Sequence, residues 1–297
     1  MIWEIIAGAT ALIMVLSGIY LFTHQYEVIF YPTRHSLPSV EEITQTFQLP
    51  FELKEVSIFT NDNNTVYLYA CLKEEPSKHI TLLLFQSNAG SVLDRMEMAK
   101  KYYELCNVNF VIAVYRGFDK STGIPEEVTM NNDVEKYFDS LESLGVDMNN
   151  IVVIGRSIGA SMALKLYNKK NCKGLIIENG FTTLLDVGKI LMPAISFFPW
   201  LIKDKWDNLN EIKLVQKGKR ILFCSSGQDE MVPPSMMQHL YDVAHETGKK
   251  VRMEKFAKGF HMNLPSYPEY FKKLNKFFEE LTKETMEEGI IENQEGQ

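Results

Sequence analysis

The stretch VVIGRSIGAS, residues 152–161, places a serine between two glycines directly after a run of β-branched residues. The run predicts a buried β-strand, and the segment IGASMALKLYNK (158–169) predicts a helix. A serine in so tight a turn has a strained backbone, and the flanking glycines allow the close contacts that the turn requires. The stretch therefore predicts a projecting nucleophile, Ser157, at the start of a helix; the alternative is an ordinary strand-to-helix loop.

Apolar strands and amphipathic helices alternate along the rest of the chain. Strands are predicted at 53–59, 65–72, 79–86, 110–117, 150–155, 173–179, 220–226 and 251–257. Helices are predicted at 91–106, 128–144, 158–170, 234–247 and 266–282. Strands that are apolar on both faces indicate a mostly parallel sheet with helices on both sides. We therefore expect an α/β fold with one eight-stranded sheet, whose first two strands form an antiparallel edge.

Composition limits the class of protein. The chain has 297 residues, 45% apolar and 23% charged, which is typical of one large globular domain or two small ones. The net charge of -7 argues against nucleic acid as a partner. The sequence contains no C-x-x-C pair, so the cysteines predict core residues, and neither a metal site nor a disulfide framework is expected. They are Cys71, Cys106, Cys172 and Cys224.

The N-terminal segment differs from the rest of the chain. Residues 5–22 (IIAGATALIMVLSGIYLF) carry no charge, and the segment extended to Thr23 is long enough to cross a bilayer as a helix. A cleaved signal peptide and a buried core helix are alternatives, but the segment before the apolar run contains Glu4 and no Lys or Arg. We expect a single-pass anchor at 1–25, in the bilayer through 5–23, in the endoplasmic reticulum or another endomembrane.

The chain after the anchor divides into two parts. Residues 26–282 form the globular domain, which begins with a proline-containing linker at 26–50. Acidic residues then dominate, and from Glu279 onward only Lys283 opposes them. The segment 283–297 is therefore expected to be a solvated, disordered tail.

Three loops that follow predicted strands carry the groups of a nucleophilic catalyst. Ser157 follows the strand at 150–155, Asp229 lies in the loop after 220–226, and His261 lies after the last strand. In a parallel α/β sheet, the carboxyl ends of the strands meet at one edge, where ligands bind. A serine hydroxyl needs a base, and the base needs a carboxylate to orient it. These loops therefore predict a catalytic triad.

Histidine is the side chain that takes and returns a proton near neutral pH, and His261 is the one placed after the final strand. For the carboxylate, Asp229 is the preferred residue; Glu230 is the adjacent alternative and Glu178 a more distant one. The chain order Ser157, Asp229, His261 is that of one hydrolase architecture and of neither large serine-protease class.

Acyl transfer also requires two N–H groups to bind the oxyanion. One belongs to Ile158, the residue after the nucleophile. The second is expected from the oxyanion loop, QSNAG (86–90), which follows the strand at 79–86. We assign it to the backbone N–H of Asn88.

Six segments together resemble the Bem46-like α/β-hydrolases. They are SNAGSVLDR (87–95), YRGFDKSTGIPEE (115–127), GRSIGASMALKL (155–166), LIIENGFTTL (175–184), GQDEMVPPSMMQHLY (227–241) and GFHMN (259–263). The resemblance covers about 26–281 and extends to the plan of one membrane anchor followed by a hydrolase domain. It implies the α/β-hydrolase fold and a serine hydrolase whose triad is Ser157, Asp229 and His261.

The sequence departs from the family pattern in places. Gln86 and Ser87 stand where the family usually has His-Gly, and a change at that glycine bears on the backbone path at Asn88. Met262 follows the histidine, where the family often has Asn. Arg116, in the second of the six segments, is expected either to orient its loop by pairing with a carboxylate or to be solvated.

The insertion at 181–210 lies where this fold carries its lid. Its apolar side chains are expected to line an acyl pocket or to dip into the bilayer surface; a helix that only covers the core is the alternative. They are Phe197, Phe198, Trp200, Leu201 and Trp206. An apolar lid beside a membrane anchor favours an acyl-chain substrate over a polar one.

The sequence therefore predicts a membrane-anchored serine hydrolase that cleaves carboxylic esters or thioesters of acyl lipids or acylated proteins. No metal or organic cofactor is implied, and the sequence identifies no protein partner. Two alternatives remain: an amide-cleaving hydrolase with the same triad, and a non-catalytic pseudo-hydrolase that binds an acyl ligand or a partner.

Overall fold

The computed structural model describes residues 1–33 and 36–295, with the backbone alone for 284–295. The strands are β1 (Tyr31–Pro32), β2 (Leu53–Phe59), β3 (Thr65–Cys71), β4 (Thr81–Phe85), β5 (Ala89–Gly90), β6 (Asn109–Val114), β7 (Ile151–Arg156), β8 (Gly174–Glu178), β9 (Arg220–Ser226) and β10 (Lys250–Phe256). The helices are α1 (Ile2–Thr23), α2 (Gln25–Ile29), α3 (Val40–Thr46), α4 (Met96–Cys106), α5 (Glu127–Ser140), α6 (Gly159–Lys169), α7 (Leu184–Leu191), α8 (Asn208–Leu214), α9 (Pro234–Glu246) and α10 (Pro268–Glu295).

Eight of these strands form one sheet in the order β10-β9-β8-β7-β4-β6-β3-β2. Neighbouring strands are parallel except at the edge, where β2–β3 and β3–β6 are antiparallel. Every residue of β4, β6, β7 and β8 is buried, which explains why these strands are apolar on both faces. The predicted eight-stranded, mostly parallel sheet and its antiparallel edge are confirmed.

Helices cover both faces of this sheet. Phe85 of β4 contacts the ring of Tyr137 in α5, whereas Phe110 of β6 stacks on Tyr102 in α4. Phe110 pairs with Leu82, three residues before Phe85, so the two phenylalanines point to opposite faces. Helices α5, α6, α8 and α9 pack in series on one side, and α4 packs with α10 on the other.

Helix α1 stands apart from the core. Of the helices in the described residues, it alone is long and apolar enough to cross a membrane, and none of its residues is buried. The predicted helix of membrane-spanning length is therefore confirmed, although a signal sequence has the same length and composition.

The segment predicted as a linker at 26–50 is instead part of the fold. Phe30 is buried against the rings of Phe118 and Trp206. The two-residue strand β1 pairs in parallel with β5, and Ile43 of α3 is buried. These elements are too short to show the periodicity of a strand or a helix. Their stability comes from contacts with distant residues, which the local sequence pattern does not reveal.

A further difference concerns the C-terminal end of the domain. Helix α10 continues to Glu295, beyond residue 283, where the disordered tail was predicted; residues 296–297 lie outside the described residues. Lys, Glu and Met are good helix formers, so a helix held by packed residues such as Leu281 propagates into this segment.

The lid, residues 181–210, contains α7 and two short 3-10 turns, Pro193–Phe197 and Pro199–Leu201. A proline begins each turn, where its missing N–H costs no hydrogen bond. Trp206 does not line a pocket: its side chain is 1% exposed and belongs to the core.

The four cysteines are free and buried, as predicted, and burial raises the pKa of Cys106 and Cys172 to about 12.

Candidate active site

The serine turn has the strained geometry that the sequence predicts. Ser157 lies between β7 and α6 with a φ of +54°, in the left-handed region. A Cβ on Gly155 would lie 2.4 Å from the carbonyl oxygen of Gly159, and a Cβ on Gly159 would lie 2.1 Å from that of Phe85. Both positions therefore require glycine, because the helix start approaches the strand ends too closely for any side chain.

Replacing Gly159 with Ala is expected to lower the free energy of unfolding by about 1–3 kcal/mol or more, because the new methyl group meets backbone atoms of β4. The matched control is Gly188→Ala in α7, where the nearest atom to an added Cβ, on Ile195, is 3.7 Å away. Urea unfolding midpoints compare the two variants. Equal midpoints would contradict the close approach at Gly159.

The histidine and the aspartate meet at the same edge of the sheet. The Nδ1 atom of His261 lies 2.7 Å from Asp229 Oδ2, and both side chains are 2% exposed. Asp229 Oδ1 accepts hydrogen bonds from the backbone N–H groups of Met231 and Val232, at 2.9 and 2.7 Å. The carboxylate is thus fixed, and it orients the imidazole. Ser157 and His261 line the same cavity, called the catalytic cavity below.

The two alternative carboxylates have other partners. Glu230 accepts a hydrogen bond from the backbone N–H of His261 at 3.1 Å, so it contacts the main chain of the loop and not the ring. Glu178 forms a buried ion pair with Arg156, and the Nη2 atom of Arg156 donates to its Oε2 at 3.1 Å. Asp229 is therefore the carboxylate that contacts the imidazole.

The ion pair between Arg156 and Glu178 lies directly beneath the serine turn. The backbone N–H of Ser157 donates to the carbonyl oxygen of Glu178 at 2.9 Å. Burial alone lowers the pKa of Arg156, but the Glu178 carboxylate raises it above its usual value, so the guanidinium stays charged. Burial also raises the pKa of Tyr270 well above its usual value, and its hydroxyl donates to Glu178 at 3.1 Å.

Replacing Glu178 with Gln is expected to lower the free energy of unfolding by about 3–5 kcal/mol, because it leaves the buried Arg156 charge without its counterion. Asp139→Asn is the control, since it breaks a partly exposed pair with Lys170 and should cost about 0–1 kcal/mol. Urea unfolding measures both. Equal losses would contradict a structural role for the buried pair.

Asn179 is a residue of the candidate site that the sequence did not reveal. It follows β8 with a φ of +47°, and its Nδ2 donates to the carbonyl oxygen of His261 at 2.7 Å and to Ser226 Oγ at 2.9 Å. Asn179 Oδ1 accepts from the backbone N–H of Ser226 at 2.9 Å. The side chain therefore ties the end of β9 to the histidine loop. The sequence signal for this residue is an Asn directly after a predicted strand, because Asn tolerates the left-handed backbone conformation that such a position can require.

The residues assigned to the oxyanion site, Ile158 and Asn88, line the catalytic cavity together with Ser157. The N-terminal segment positions Asn88. Its Nδ2 donates to the carbonyl oxygen of Ile29 at 2.6 Å, and its carbonyl oxygen accepts from the backbone N–H of Tyr31 at 2.8 Å. The end of α2 and the start of β1 therefore support the oxyanion loop.

The departure from the family pattern at Gln86 is accommodated by a buried contact. Gln86 Oε1 accepts a hydrogen bond from Arg95 Nε at 3.2 Å, and Arg95 Nη2 donates to the carbonyl oxygen of Ala89 at 2.8 Å. Tyr115 donates its hydroxyl to the main-chain oxygen of Gln86 at 2.5 Å. Burial lowers the pKa of Arg95. With Gln86 and Ser87 in place of His-Gly, the loop still places Asn88 at the catalytic cavity.

Arg116 pairs with carboxylates, which was one of its two expected roles. Its Nε donates to Asp133 Oδ2 and its Nη1 to Asp62 Oδ2, each at 2.6 Å. Burial raises the pKa of Asp133, whereas hydrogen bonds from Arg116 and Thr60 lower the pKa of Asp62. The guanidinium thus joins the turn between β2 and β3 to α5.

The catalytic cavity has a volume of about 260 Å³ and mostly apolar walls. The walls come from the end of α1, from α2 and from the lid, and they include Leu21, Val28, Leu184, Val187 and Ile202. No Asp, Glu, Lys or Arg is among the described residues that line it. The cavity is therefore suited to an uncharged, apolar group.

The four residues tentatively assigned to the acyl pocket lie elsewhere. Phe198, Trp200 and Leu201 line a second cavity, between the lid and α1, and not the catalytic cavity. Phe197 is 80% exposed and is among the lining residues of neither. The two lid turns that begin at Pro193 and Pro199 turn these side chains toward α1 and away from Ser157, which periodicity cannot predict.

A serine on a strand-to-helix turn, beside a hydrogen-bonded histidine and aspartate at one edge of a mostly parallel sheet, defines the α/β-hydrolase class. Over residues 53–222 the chain matches the family model described as "Alpha/beta hydrolase of unknown function (DUF1057)". It is 30% identical to Protein bem46 of Schizosaccharomyces pombe, over 87% of this chain and 88% of that protein. The chain therefore belongs to the Bem46-like α/β-hydrolase family.

Two other similarities are informative. The Uncharacterized membrane protein YNL320W of Saccharomyces cerevisiae is 23% identical, over 84% of this chain and 89% of that protein. Among solved structures, the Pyrococcus furiosus esterase Pf2001 superimposes with a TM-score of 0.67, covering 85% of this chain and 98% of that chain. At 17% sequence identity, this second similarity shows the fold alone.

Proposed function

We propose that the protein is a membrane-anchored serine hydrolase that cleaves carboxylic ester or thioester bonds of acyl lipids or acylated proteins. The observation that carries the proposal is the contact of 2.7 Å between His261 Nδ1 and Asp229 Oδ2, in a cavity that Ser157 also lines. With Nδ1 bound to the carboxylate, the remaining ring nitrogen of His261 is the one available to the serine.

The proposed mechanism uses these groups in turn. Nε2 of His261 takes the proton of Ser157 Oγ as the oxygen attacks the acyl carbonyl. The N–H groups of Ile158 and Asn88 stabilise the oxyanion of the tetrahedral intermediate. His261 then protonates the leaving alcohol or thiol, and water releases the acyl group by the reverse sequence of proton transfers. Asp229 holds the imidazole in place and stabilises its charged form.

The apolar walls of the catalytic cavity support an acyl group as the part of the substrate that binds there. The family match and the esterase-like fold support hydrolysis, and neither distinguishes an oxygen ester from a thioester or an amide. The leaving group therefore has to be determined by a substrate panel.

Membrane anchoring by residues 1–25 is supported by the exposure of α1 and by its role in the catalytic cavity. Leu21 of α1 and Gln25 of α2 are among the residues that line this cavity. Cleavage of a signal peptide after α1 would remove Leu21 from this cavity, which supports a retained anchor. We place this anchor in an endomembrane as part of the proposal. Resistance of the full-length protein to extraction with alkaline carbonate tests this part of the proposal.

A fluorophosphonate probe tests the catalytic assignment, because it forms a covalent adduct only with an activated serine. The full-length protein should be labelled, and peptide mass spectrometry should find the adduct on Ser157. Matched butyryl esters, thioesters and anilides then identify the bond cleaved. Absence of labelling would refute the proposal and favour a binding protein without turnover, and faster cleavage of the anilide would favour an amidase.

A further inference from the structure

A second apolar cavity lies between α1 and the lid, and it is called the groove below. Its volume is about 860 Å³, and α1 forms one wall from Ile13 to Phe22. The lid forms the other wall with Ile195, Phe198 and Trp200, among others. Phe198 is 50% and Trp200 66% exposed, so the groove is open to the surroundings of α1.

The groove adjoins the catalytic cavity. Leu21 of α1 and Met192 of the lid line both of them. Gln25 holds the two walls together at this junction: its Oε1 accepts hydrogen bonds from the backbone N–H groups of Lys203 and Asp204, at 3.1 and 3.2 Å. Its side-chain nitrogen donates to the carbonyl oxygen of Leu201. Gln25 is 4% exposed and its side chain is hydrogen-bonded to the lid, so the junction is an ordered part of the fold.

The length of the groove along α1 is close to the thickness of one leaflet of a bilayer. The wall from Ile13 to Phe22 is about 14 Å long at a rise of 1.5 Å per residue. This is about half of the 30 Å thickness of the hydrocarbon core. Phe22 is at the end of α1 nearest the domain, so the groove runs from the catalytic cavity along α1; with α1 inserted as proposed, it runs toward the middle of the bilayer.

The side chains that line the groove and the catalytic cavity determine which class of ligand can bind there. Among the described residues that line the groove or the catalytic cavity, none is Asp, Glu, Lys or Arg. A phosphate group would find no cation there, whereas a hydrocarbon chain and an uncharged ester would be well accommodated. Gly18 lines the groove beside Leu201, where an added Cβ would lie 3.7 Å from the Leu201 side chain, an ordinary contact; a side chain much larger than a methyl group would therefore extend into the groove.

We propose that the substrate is a neutral long-chain ester lipid whose acyl chain passes from the bilayer along the groove to Ser157. The inference rests on the proposed function, and it narrows the substrate to a lipid that the enzyme takes directly from the membrane. Helix α1 is then both the anchor and one side of the path by which the substrate reaches the catalytic cavity.

The test uses full-length protein in phosphatidylcholine vesicles, with 1-palmitoylglycerol in the vesicles and 4-nitrophenyl acetate in the water. Gly18→Phe fills the groove, and Gly8→Phe is the matched control, because a Cβ at Gly8 meets no atom within 4 Å. The ratio of the palmitoyl rate to the acetate rate should fall at least about tenfold in Gly18→Phe, since each excluded methylene is worth a factor of about four. In Gly8→Phe it should stay within about twofold of wild type.

Each other result has a defined meaning. An unchanged ratio in Gly18→Phe, or an equal loss in Gly8→Phe, overturns the inference. So does faster cleavage of 1-palmitoyl-lysophosphatidylcholine than of 1-palmitoylglycerol, or cleavage of an S-palmitoylated peptide with neither lipid attacked. A wild-type protein that takes up the fluorophosphonate probe but leaves 1-palmitoylglycerol intact refutes this inference alone, whereas an unlabelled wild-type protein refutes the proposed function as well.

Discussion

The Ser157→Ala variant is expected to hydrolyse esters with a kcat about 10⁶-fold below that of the wild type. The alanine removes the only oxygen at the strained turn that can form the acyl intermediate, while the oxyanion donors and the cavity remain. A residual rate about 10³–10⁴ above that of water alone is therefore expected. The measurement is kcat for a soluble ester such as 4-nitrophenyl butyrate, with fluorophosphonate labelling of the same preparations.

Ser161→Ala is the matched control for this variant. Ser161 lies on α6, one turn after the nucleophile, is 5% exposed, and its Oγ makes no hydrogen bond in the described part of the chain. Its removal therefore takes away no partner, and the rate should remain within about twofold of wild type. If Ser157→Ala and wild type were equally active, the nucleophile would lie elsewhere; if both were inactive, the protein would be a binding module.

The Asp229→Asn variant is expected to lower kcat by about 10⁴-fold. Asn presents an N–H or a neutral oxygen where the carboxylate now accepts from His261 Nδ1, so the imidazole loses the orientation and tautomer that direct Nε2 toward the serine. The backbone N–H groups of Met231 and Val232 would also lose a charged acceptor. The ester assay that measures Ser157→Ala gives kcat for this variant.

Glu230→Gln separates the role of Asp229 from that of any nearby negative charge. The neighbouring Glu230 is exposed and accepts from the main chain of His261, not from its ring. Its neutralisation should change kcat by less than about fivefold, in line with the small effects of surface substitutions. Equal losses at the two positions would mean that the charge of the loop, and not the contact with the imidazole, supports catalysis.

The sheet and the placement of Ser157, Asp229 and His261 were accessible from sequence for one physical reason. Buried strands have continuous apolar runs, and Ser157 and Asp229 each come after one, whereas His261 comes after the partly exposed edge strand β10. The parallel arrangement then brings the strand ends to one edge without any knowledge of side-chain packing. Local patterns therefore sufficed for the sheet and for where the triad residues lie.

The remaining parts of the site depend on contacts between distant residues. The strand β1 has two residues, and its partner β5 lies almost sixty positions later, so no periodic pattern marks the pairing. The side chain of Asn179 bonds to the end of β9 and to the histidine loop, which a single Asn at a strand end does not reveal. The lid residues Phe198 and Trp200 are apolar and would suit the catalytic cavity as well as the groove. The path of the lid backbone decides that they line the groove.

The pairing of β1 with β5 also limits how the α/β-hydrolase domain can be separated from α1. A chain shortened so that it starts at Gln25 keeps the carbonyl of Ile29 and the N–H of Tyr31 that hold Asn88. A chain that starts at residue 34 lacks both, although its sheet and triad are complete. We therefore expect shortened versions of the protein to need residues 25–33, because this segment holds Asn88 in place and is not a spacer.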